Sequence, residues 1–139
     1  MRNSRVFLDT NGWLALLNAT EELHQEALGL WLELMHQRNR VILTDWVIAE
    51  TGNGLARTQT KSRFVNIVEE MLGAPSVEVI HVDNDLIHRA LTEFGQYADK
   101  SWGLVDCASF LVMRDRGITE AFTSDRHFEQ AGFQCLLTT

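Results

Sequence analysis

Apolar positions along the chain follow two patterns: short continuous runs, and longer stretches with one apolar stripe. The first run, Val6-Phe7-Leu8, is branched and aromatic, which is typical of a strand buried on both faces. Runs of this kind predict strands at residues 5–8, 40–43, 77–80, 118–122 and 134–136. Stripes at helical spacing predict helices at residues 12–17, 46–57, 61–72 and 103–113. Two further helices are predicted, one that begins at Asn18 and one that Asp83 caps.

This alternation of strands and helices indicates the fold class. Because the strand cores are nearly continuous apolar runs, they predict a parallel sheet covered by helices on both faces. We therefore expect an α/β fold, a three-layer α/β/α sandwich with a central, mostly parallel sheet, in which residues 1–139 form a single domain.

Two details of the helices are also predicted. Asn18, followed by Glu21, has the form of a capping box and is expected to open a helix. The stripes of two later helices place the following apolar residues on buried sides: Phe64, Val65, Val68, Met71, Leu72, Leu86, Ile87, Ala90, Leu91, Phe94 and Tyr97.

Composition narrows the classes of function. The chain has 12 basic and 19 acidic residues and a net charge of -7, which argues against a broad basic surface for nucleic acid. A bound divalent cation can receive a phosphate oxygen instead. The two cysteines, Cys107 and Cys135, are far apart and predict no disulfide framework. No apolar stretch is long enough to cross a bilayer, so we expect a cytoplasmic protein without a membrane segment.

Four acidic residues stand near the predicted carboxyl ends of strands or in the early turns of helices. Asp9 and Asp125 each follow a strand, whereas Glu50 and Asp106 lie in the first two turns of helices. In open parallel sheets, ligands bind beyond the carboxyl ends of the strands. Because crossover connections bring these ends to one edge of the sheet, we expect the four carboxylates to converge.

Such a cluster of carboxylates requires a counter-charge. Each aspartate alone can be explained as a helix cap, which stabilises a helix by about 1 kcal/mol. Two carboxylates about 4 Å apart repel by about 4 kcal/mol at an effective dielectric near 20, so a converging set must be protonated or bound to a cation. Oxygen ligands suit Mg²⁺ or Mn²⁺ better than zinc. No pair among His24, His36, His81 and His88 has the spacing of a zinc site.

The four acids lie in motifs that are specific as a set, although each alone is common. The motifs are Phe7-Leu8-Asp9-Thr10-Asn11, Ala49-Glu50, Trp102-Gly103-Leu104-Val105-Asp106-Cys107-Ala108-Ser109-Phe110 and Thr123-Ser124-Asp125-Arg126-His127-Phe128. In their order and spacing the chain resembles the PIN-domain ribonucleases, especially the VapC-like toxins of bacterial toxin-antitoxin pairs. The resemblance extends over nearly the whole chain. It implies the sandwich fold and endonucleolytic hydrolysis of RNA. It also implies frequent formation of homodimers, and a small antitoxin protein as partner, whose tail lies across the early helices.

The resemblance also implies the roles of the four acids. Asp9, Glu50, Asp106 and Asp125 would be both the catalytic and the metal-binding residues, with one or two Mg²⁺ or Mn²⁺ ions. We assign the principal ion to Asp9 and Asp106. Glu50 and Asp125 then complete its shell and orient the attacking water.

Residues beside the acids are candidates for binding substrate. Thr10 and Asn11 can form hydrogen bonds with water or phosphate, or can simply begin a helix. Arg126 and, less favourably, His127 can contact phosphate, although an exposed arginine beside an acid is the commoner arrangement.

Two other classes of function stay open at this point. A phosphoaspartate protein, either a receiver domain or a phosphatase of the haloacid dehalogenase type, also has an aspartate after its first strand. However, Asn11 stands where such a phosphatase usually has a second aspartate, and the last lysine, Lys100, comes before the helix of Asp106. A non-enzymatic module for binding RNA or protein is favoured by Gly103 and Val105, which stand where the PIN family commonly has a hydroxyl residue. The four retained acids favour an enzyme.

Overall fold

The computed structural model describes residues 4–138, which form five strands and seven helices. The strands are β1 (Arg5–Leu8), β2 (Arg40–Thr44), β3 (Val77–Ile80), β4 (Glu120–Phe122) and β5 (Gln134–Cys135). The helices are α1 (Thr10–Leu17), α2 (His24–His36), α3 (Asp45–Leu55), α4 (Lys61–Gly73), α5 (Asn84–Gln96), α6 (Leu104–Arg116) and α7 (Arg126–Gln130).

All five strands pair in parallel, in the order β3-β2-β1-β4-β5. Leu8 is in register with Phe122, so Phe7 and Phe122 point to opposite faces of the sheet. On one face Phe7 packs against Phe128 of α7, and on the other Phe122 packs against Trp31 of α2. Helices therefore flank a central parallel sheet, and the predicted α/β sandwich is confirmed.

Local side-chain and backbone chemistry fixes several helix ends. The Thr44 hydroxyl accepts a hydrogen bond from the Val47 amide at 3.2 Å and caps α3. Asp83 caps α5 in the same way through the Leu86 amide at 2.9 Å, as the sequence predicted. Gly117 ends α6 in the left-handed conformation, with φ of 65°, which glycine adopts without strain.

Gly12 sets how closely α1 approaches the sheet. A Cβ atom at this position would lie 2.0 Å from the carbonyl oxygen of Phe122 and 2.6 Å from its carbonyl carbon. The backbone of α1 therefore lies directly against the end of β4. This close approach holds Asp9, at the end of β1, beside the loop that follows β4.

The predicted start of the second helix is wrong. Helix α2 begins at His24, and Asn18 instead follows the last residue of α1, where its amide donates to the Leu14 carbonyl. The Asn18 side-chain oxygen accepts hydrogen bonds from the Thr20 amide and hydroxyl at 3.1 and 2.8 Å. This local turn competes with helix formation, which explains why the apparent capping box does not open a helix.

The predicted buried sides of α4 and α5 are wrong in part. Apolar side chains that the stripes placed inside are exposed, namely Val65, Leu72, Leu91, Phe94 and Tyr97. Helix α5 buries the line Leu86, Ala90 and Glu93 instead. Glu93 is accommodated because its carboxylate accepts a hydrogen bond from Arg114 of α6 at 2.5 Å. The pattern of apolar residues could not predict that the charged pair of Glu93 and Arg114 occupies these helical positions.

Among residues 4–138, no helix combines the length and the apolar character that crossing a membrane requires.

Candidate active site

The four predicted acids lie at the carboxyl edge of the sheet. Asp9 immediately follows β1, Glu50 is in the second turn of α3, Asp106 is in the first turn of α6, and Asp125 precedes α7. The negative charges of the other three each raise the pKa of Asp9. The four acids, from distant segments, therefore lie within electrostatic range of one another at this edge, and their roles as catalytic and metal-binding residues stay predictions.

Asp9 is the most deeply buried of these acids. Only 3% of the residue is exposed, and burial is the main reason why its pKa is raised to about 7. Its Oδ2 accepts a hydrogen bond of 2.8 Å from the Thr123 hydroxyl, which partly lowers that pKa. Although Asp9 precedes α1, its side chain makes no capping hydrogen bond. The interpretation of Asp9 as a simple helix cap therefore fails.

Asp106 and Asp125 combine capping contacts with a place in the cluster. The Gly103 amide donates to Asp106 Oδ2 at 3.0 Å, and the His127 amide donates to Asp125 Oδ1 at 3.0 Å. Burial, followed by the charges of Asp125 and Glu50, raises the pKa of Asp106. Gly103 thus holds Asp106 through its backbone, so the missing hydroxyl at position 103 does not leave this carboxylate without a partner.

Glu50 is the most accessible acid of the four. Its residue is exposed, whereas those of Asp106 and Asp125 are half-buried. Its charge nevertheless raises the pKa of both Asp9 and Asp106, so its carboxylate lies within electrostatic range of both. Glu50 is therefore suited to contact water at the open side of the cluster.

Sequence reasoning treated His127 only as a weak candidate for phosphate contact, and the structure places it among the acids. Its Nδ1 lies 3.3 Å from Asp106 Oδ2 and 3.2 Å from Asp125 Oδ1. Its Nε2 lies 3.0 Å from the Ser101 hydroxyl oxygen. One feature of the sequence could have indicated this position. His127 comes only two residues after Asp125, so its side chain starts close to the predicted site.

The three tentative substrate-binding residues, Thr10, Asn11 and Arg126, differ in exposure and in hydrogen-bond partners. Asn11 is exposed, and its Oδ1 accepts a hydrogen bond from the Ser124 amide at 2.8 Å, which joins the start of α1 to the loop after β4. Thr10 is buried, and its hydroxyl contacts that of Thr51 at 3.4 Å. Arg126 is exposed on the rim of a cavity that Ser124 also lines. Their roles toward substrate stay predictions.

Comparison with known proteins identifies the family. The model of the PIN domain matches residues 6–134. The chain belongs to the PIN-domain family. Members of this family are metal-dependent nucleases that act on phosphodiester bonds. The resemblance based on the four motifs is confirmed, and a phosphoaspartate protein is no longer a competing interpretation.

Other PIN-domain proteins resemble this one in sequence and structure. VapC20 of Mycobacterium tuberculosis, named a 23S rRNA-specific endonuclease, is 33% identical over 129 residues, which cover 92% of this chain and 95% of VapC20. The crystal structure of VapC20, described as a Sarcin-Ricin loop cleaving toxin, matches with a TM-score of 0.84 and 31% identity, covering 95% and 98% of the two chains.

Two solved structures at lower identity share the fold. FitAcB from Neisseria gonorrhoeae matches with a TM-score of 0.63 and 17% identity, covering 94% of this chain and 95% of the other. VapBC2 from Rickettsia felis, bound to a DNA fragment from their promoter, matches with a TM-score of 0.61 and 18% identity, covering 92% and 93%.

The donor atoms at the carboxyl edge fit a divalent metal ion. Within residues 4–138, Asp106, Asp125 and His127 each offer a ligand atom, and these atoms lie within 4.8 Å of one another. Asp9 adds a buried carboxylate whose pKa is raised to about 7 by burial and by the charges of the other three acids, and a bound cation would favour its charged form. A site of this composition, rich in carboxylate oxygen, is typical of Mg²⁺ or Mn²⁺.

Proposed function

We propose that this PIN-domain protein is a divalent-metal-dependent endoribonuclease and the toxin of a toxin-antitoxin pair, acting in the cytoplasm. The observation that carries the proposal is the burial of Asp9 beside three other carboxylates, with its pKa raised to about 7. An unbound cluster of this kind is energetically costly, and a divalent ion removes the cost. The likeness to VapC20 over most of both chains supports RNA as the substrate.

The four acids divide the chemistry among them. When bound, Mg²⁺ or Mn²⁺ supplies a water of lowered pKa and neutralises charge on the phosphate. Asp9 and Asp106 are the principal ligands, and Asp125 completes the shell from the loop after β4. Glu50, the most exposed of the four, orients the attacking water. Asn11 and Arg126 are both exposed beside the acids and would contact the RNA backbone.

Ribosomal RNA is the substrate class to test first, because the 33% identical relative is named for cleavage of 23S rRNA. The purified protein is expected to cut this RNA at few positions in the presence of Mg²⁺ or Mn²⁺. Cleavage should stop when EDTA is added and return when excess metal is restored. Cleavage that continues unchanged in EDTA would contradict the proposal.

An antitoxin protein is the proposed partner, and the exposed apolar residues of α2 offer it a surface. Leu32 is 60% exposed, and Leu28, one helical turn earlier, is also exposed. We expect Leu32→Glu to weaken neutralisation by the antitoxin at least about tenfold, because it places a charge against an apolar partner. Growth of cells that co-express the protein with its antitoxin measures neutralisation. As a control, RNA cleavage by Leu32→Glu in vitro should be unchanged. Full neutralisation of Leu32→Glu by the antitoxin would mean that the antitoxin binds a surface other than α2.

A homodimer is proposed through α5. Leu91 and Phe94 are exposed along this helix and Tyr97 directly after it. The Tyr97 ring centroid lies 4.9 Å from that of Trp102, just before the helix of Asp106. Phe94→Glu is expected to convert a dimer into a monomer, as measured by light scattering, because it introduces charge into an apolar contact. Thr92→Glu on the same helix is the matched charge control. A variant at Phe94 that stays dimeric would rule out this face.

A further inference from the structure

The position of His127 is unusual for a simple ion pair. Its Nδ1 is fully buried and is almost equally distant from two carboxylate oxygens, 3.3 Å from Asp106 Oδ2 and 3.2 Å from Asp125 Oδ1. Within residues 4–138 this nitrogen has no partner with hydrogen-bond geometry. An imidazolium that simply neutralised one carboxylate would aim its N–H at one oxygen over a shorter distance.

The other ring nitrogen is held by Ser101. Nε2 lies 3.0 Å from the Ser101 hydroxyl oxygen. A neutral ring that donates its Nε2–H to this oxygen presents the lone pair of Nδ1 to Asp106 and Asp125. Histidines that bind metals commonly donate their second N–H to a neighbouring acceptor in this way, which fixes the tautomer and the ring orientation.

The spacing of the three atoms matches neighbouring ligands of one ion. Ligands at right angles in an octahedral shell of radius about 2.1 Å lie about 3 Å apart. The separations from Nδ1 to the two carboxylate oxygens are 3.3 and 3.2 Å. When Nδ1 carries no proton, its lone pair and the two carboxylate oxygens repel one another at these distances unless a cation lies between them.

We infer that His127 Nδ1 is a direct metal ligand together with Asp106 and Asp125, and that this nitrogen makes the site prefer Mn²⁺ over Mg²⁺. The inference rests on the proposed metal-dependent function and extends it to the choice of ion. Imidazole nitrogen suits transition metals, whereas Mg²⁺ favours oxygen ligands. An all-carboxylate site would have no such preference from its ligands.

His127→Asn is the matched test because it puts an amide at the position of Nδ1 and can offer an oxygen in its place. We expect the Mn²⁺ affinity, measured by calorimetry, to fall by about tenfold or more. The Mg²⁺ affinity should change by less than about threefold, because an oxygen ligand suits that ion. His36→Asn is the control: this exposed histidine ends α2, just before the start of β2 and thus at the opposite edge of the sheet, and both affinities should stay unchanged.

Pulsed electron paramagnetic resonance of Mn²⁺ bound to the wild-type protein gives a direct readout that requires no variant. A coupling to histidine nitrogen, changed by ¹⁵N-histidine labelling and absent in His127→Asn, is the expected result. Mn²⁺ binding without such a coupling would overturn the inference while leaving the nuclease proposal intact. Failure of the wild-type protein to bind either ion would overturn both.

Discussion

Asp9→Asn is expected to reduce metal-dependent RNA cleavage by at least about a thousandfold while the protein stays folded. Asp9 is the buried carboxylate at the end of the central strand, and the substitution removes its charge with almost no change in volume. The amide oxygen can still accept the hydrogen bond from the Thr123 hydroxyl. Cleavage of ribosomal RNA, measured with saturating Mn²⁺, tests this expectation.

Asp83→Asn is the matched control for that loss of activity. Asp83 also precedes a helix, but its side chain caps α5 through the Leu86 amide and takes no part in the acid cluster. Asparagine caps helices about as well as aspartate, so cleavage should stay within about twofold of the wild type. Equal activity of Asp9→Asn and Asp83→Asn would remove Asp9 from the mechanism.

The same substitution at Asp9 is expected to stabilise the metal-free protein. The pKa of Asp9 is raised from 3.8 to about 7, so the folded state holds this proton more tightly than the unfolded chain. Its contribution to stability is present below about pH 4 and is lost as the pH rises through about 7. At roughly pH 8 in EDTA, urea denaturation should show Asp9→Asn to be more stable by up to about 4 kcal/mol, at about 1.4 kcal/mol per pKa unit. A gain that does not shrink toward pH 4 would contradict this cause.

Gly12→Ala is expected to have the second large effect, a loss of about 3 kcal/mol or more in the free energy of unfolding. The added Cβ would lie 2.0 Å from the Phe122 carbonyl oxygen, and the backbone of a central strand cannot give way as a flexible side chain can. Any relief must move α1 away from the end of β4. This movement would also separate Asp9 from Thr123, so cleavage should fall in whatever protein stays folded.

The control for Gly12→Ala is Gly29→Ala in the middle of α2. A Cβ at Gly29 meets nothing within 4 Å, so the gain in helix propensity should stabilise the protein by about 0.5–1 kcal/mol. Thermal or urea unfolding of the two variants makes the comparison. Similar stability of both would mean that α1 is not in close contact with β4.

Much of the fold and of the acid cluster could be predicted because the signals are local. Continuous apolar runs such as Val6-Phe7-Leu8 are buried on both faces of a parallel sheet, and the sequence shows this directly. The rule that ligands bind beyond the carboxyl ends of parallel strands then brought Asp9, Glu50, Asp106 and Asp125 together. No distance between these residues was needed to predict that they converge.

The features that the sequence did not reveal depend on tertiary contacts. His127 joins the site because Ser101, on a different loop, holds its ring from the other side. The exposed positions of Phe94 and Leu72 depend on which helical face meets a neighbour, and periodicity alone cannot decide between the core and a surface that binds a partner. The close approach at Gly12 depends on the carbonyl of Phe122, far along the chain.

The central claim is that four distant acids form one metal centre, and anomalous diffraction from crystals soaked in Mn²⁺ tests it most directly. A manganese peak about 2–2.3 Å from carboxylate oxygens of Asp9 and Asp106 is the predicted result. A peak that contacts neither residue, or the absence of any peak near Asp9 at saturating Mn²⁺, would contradict it.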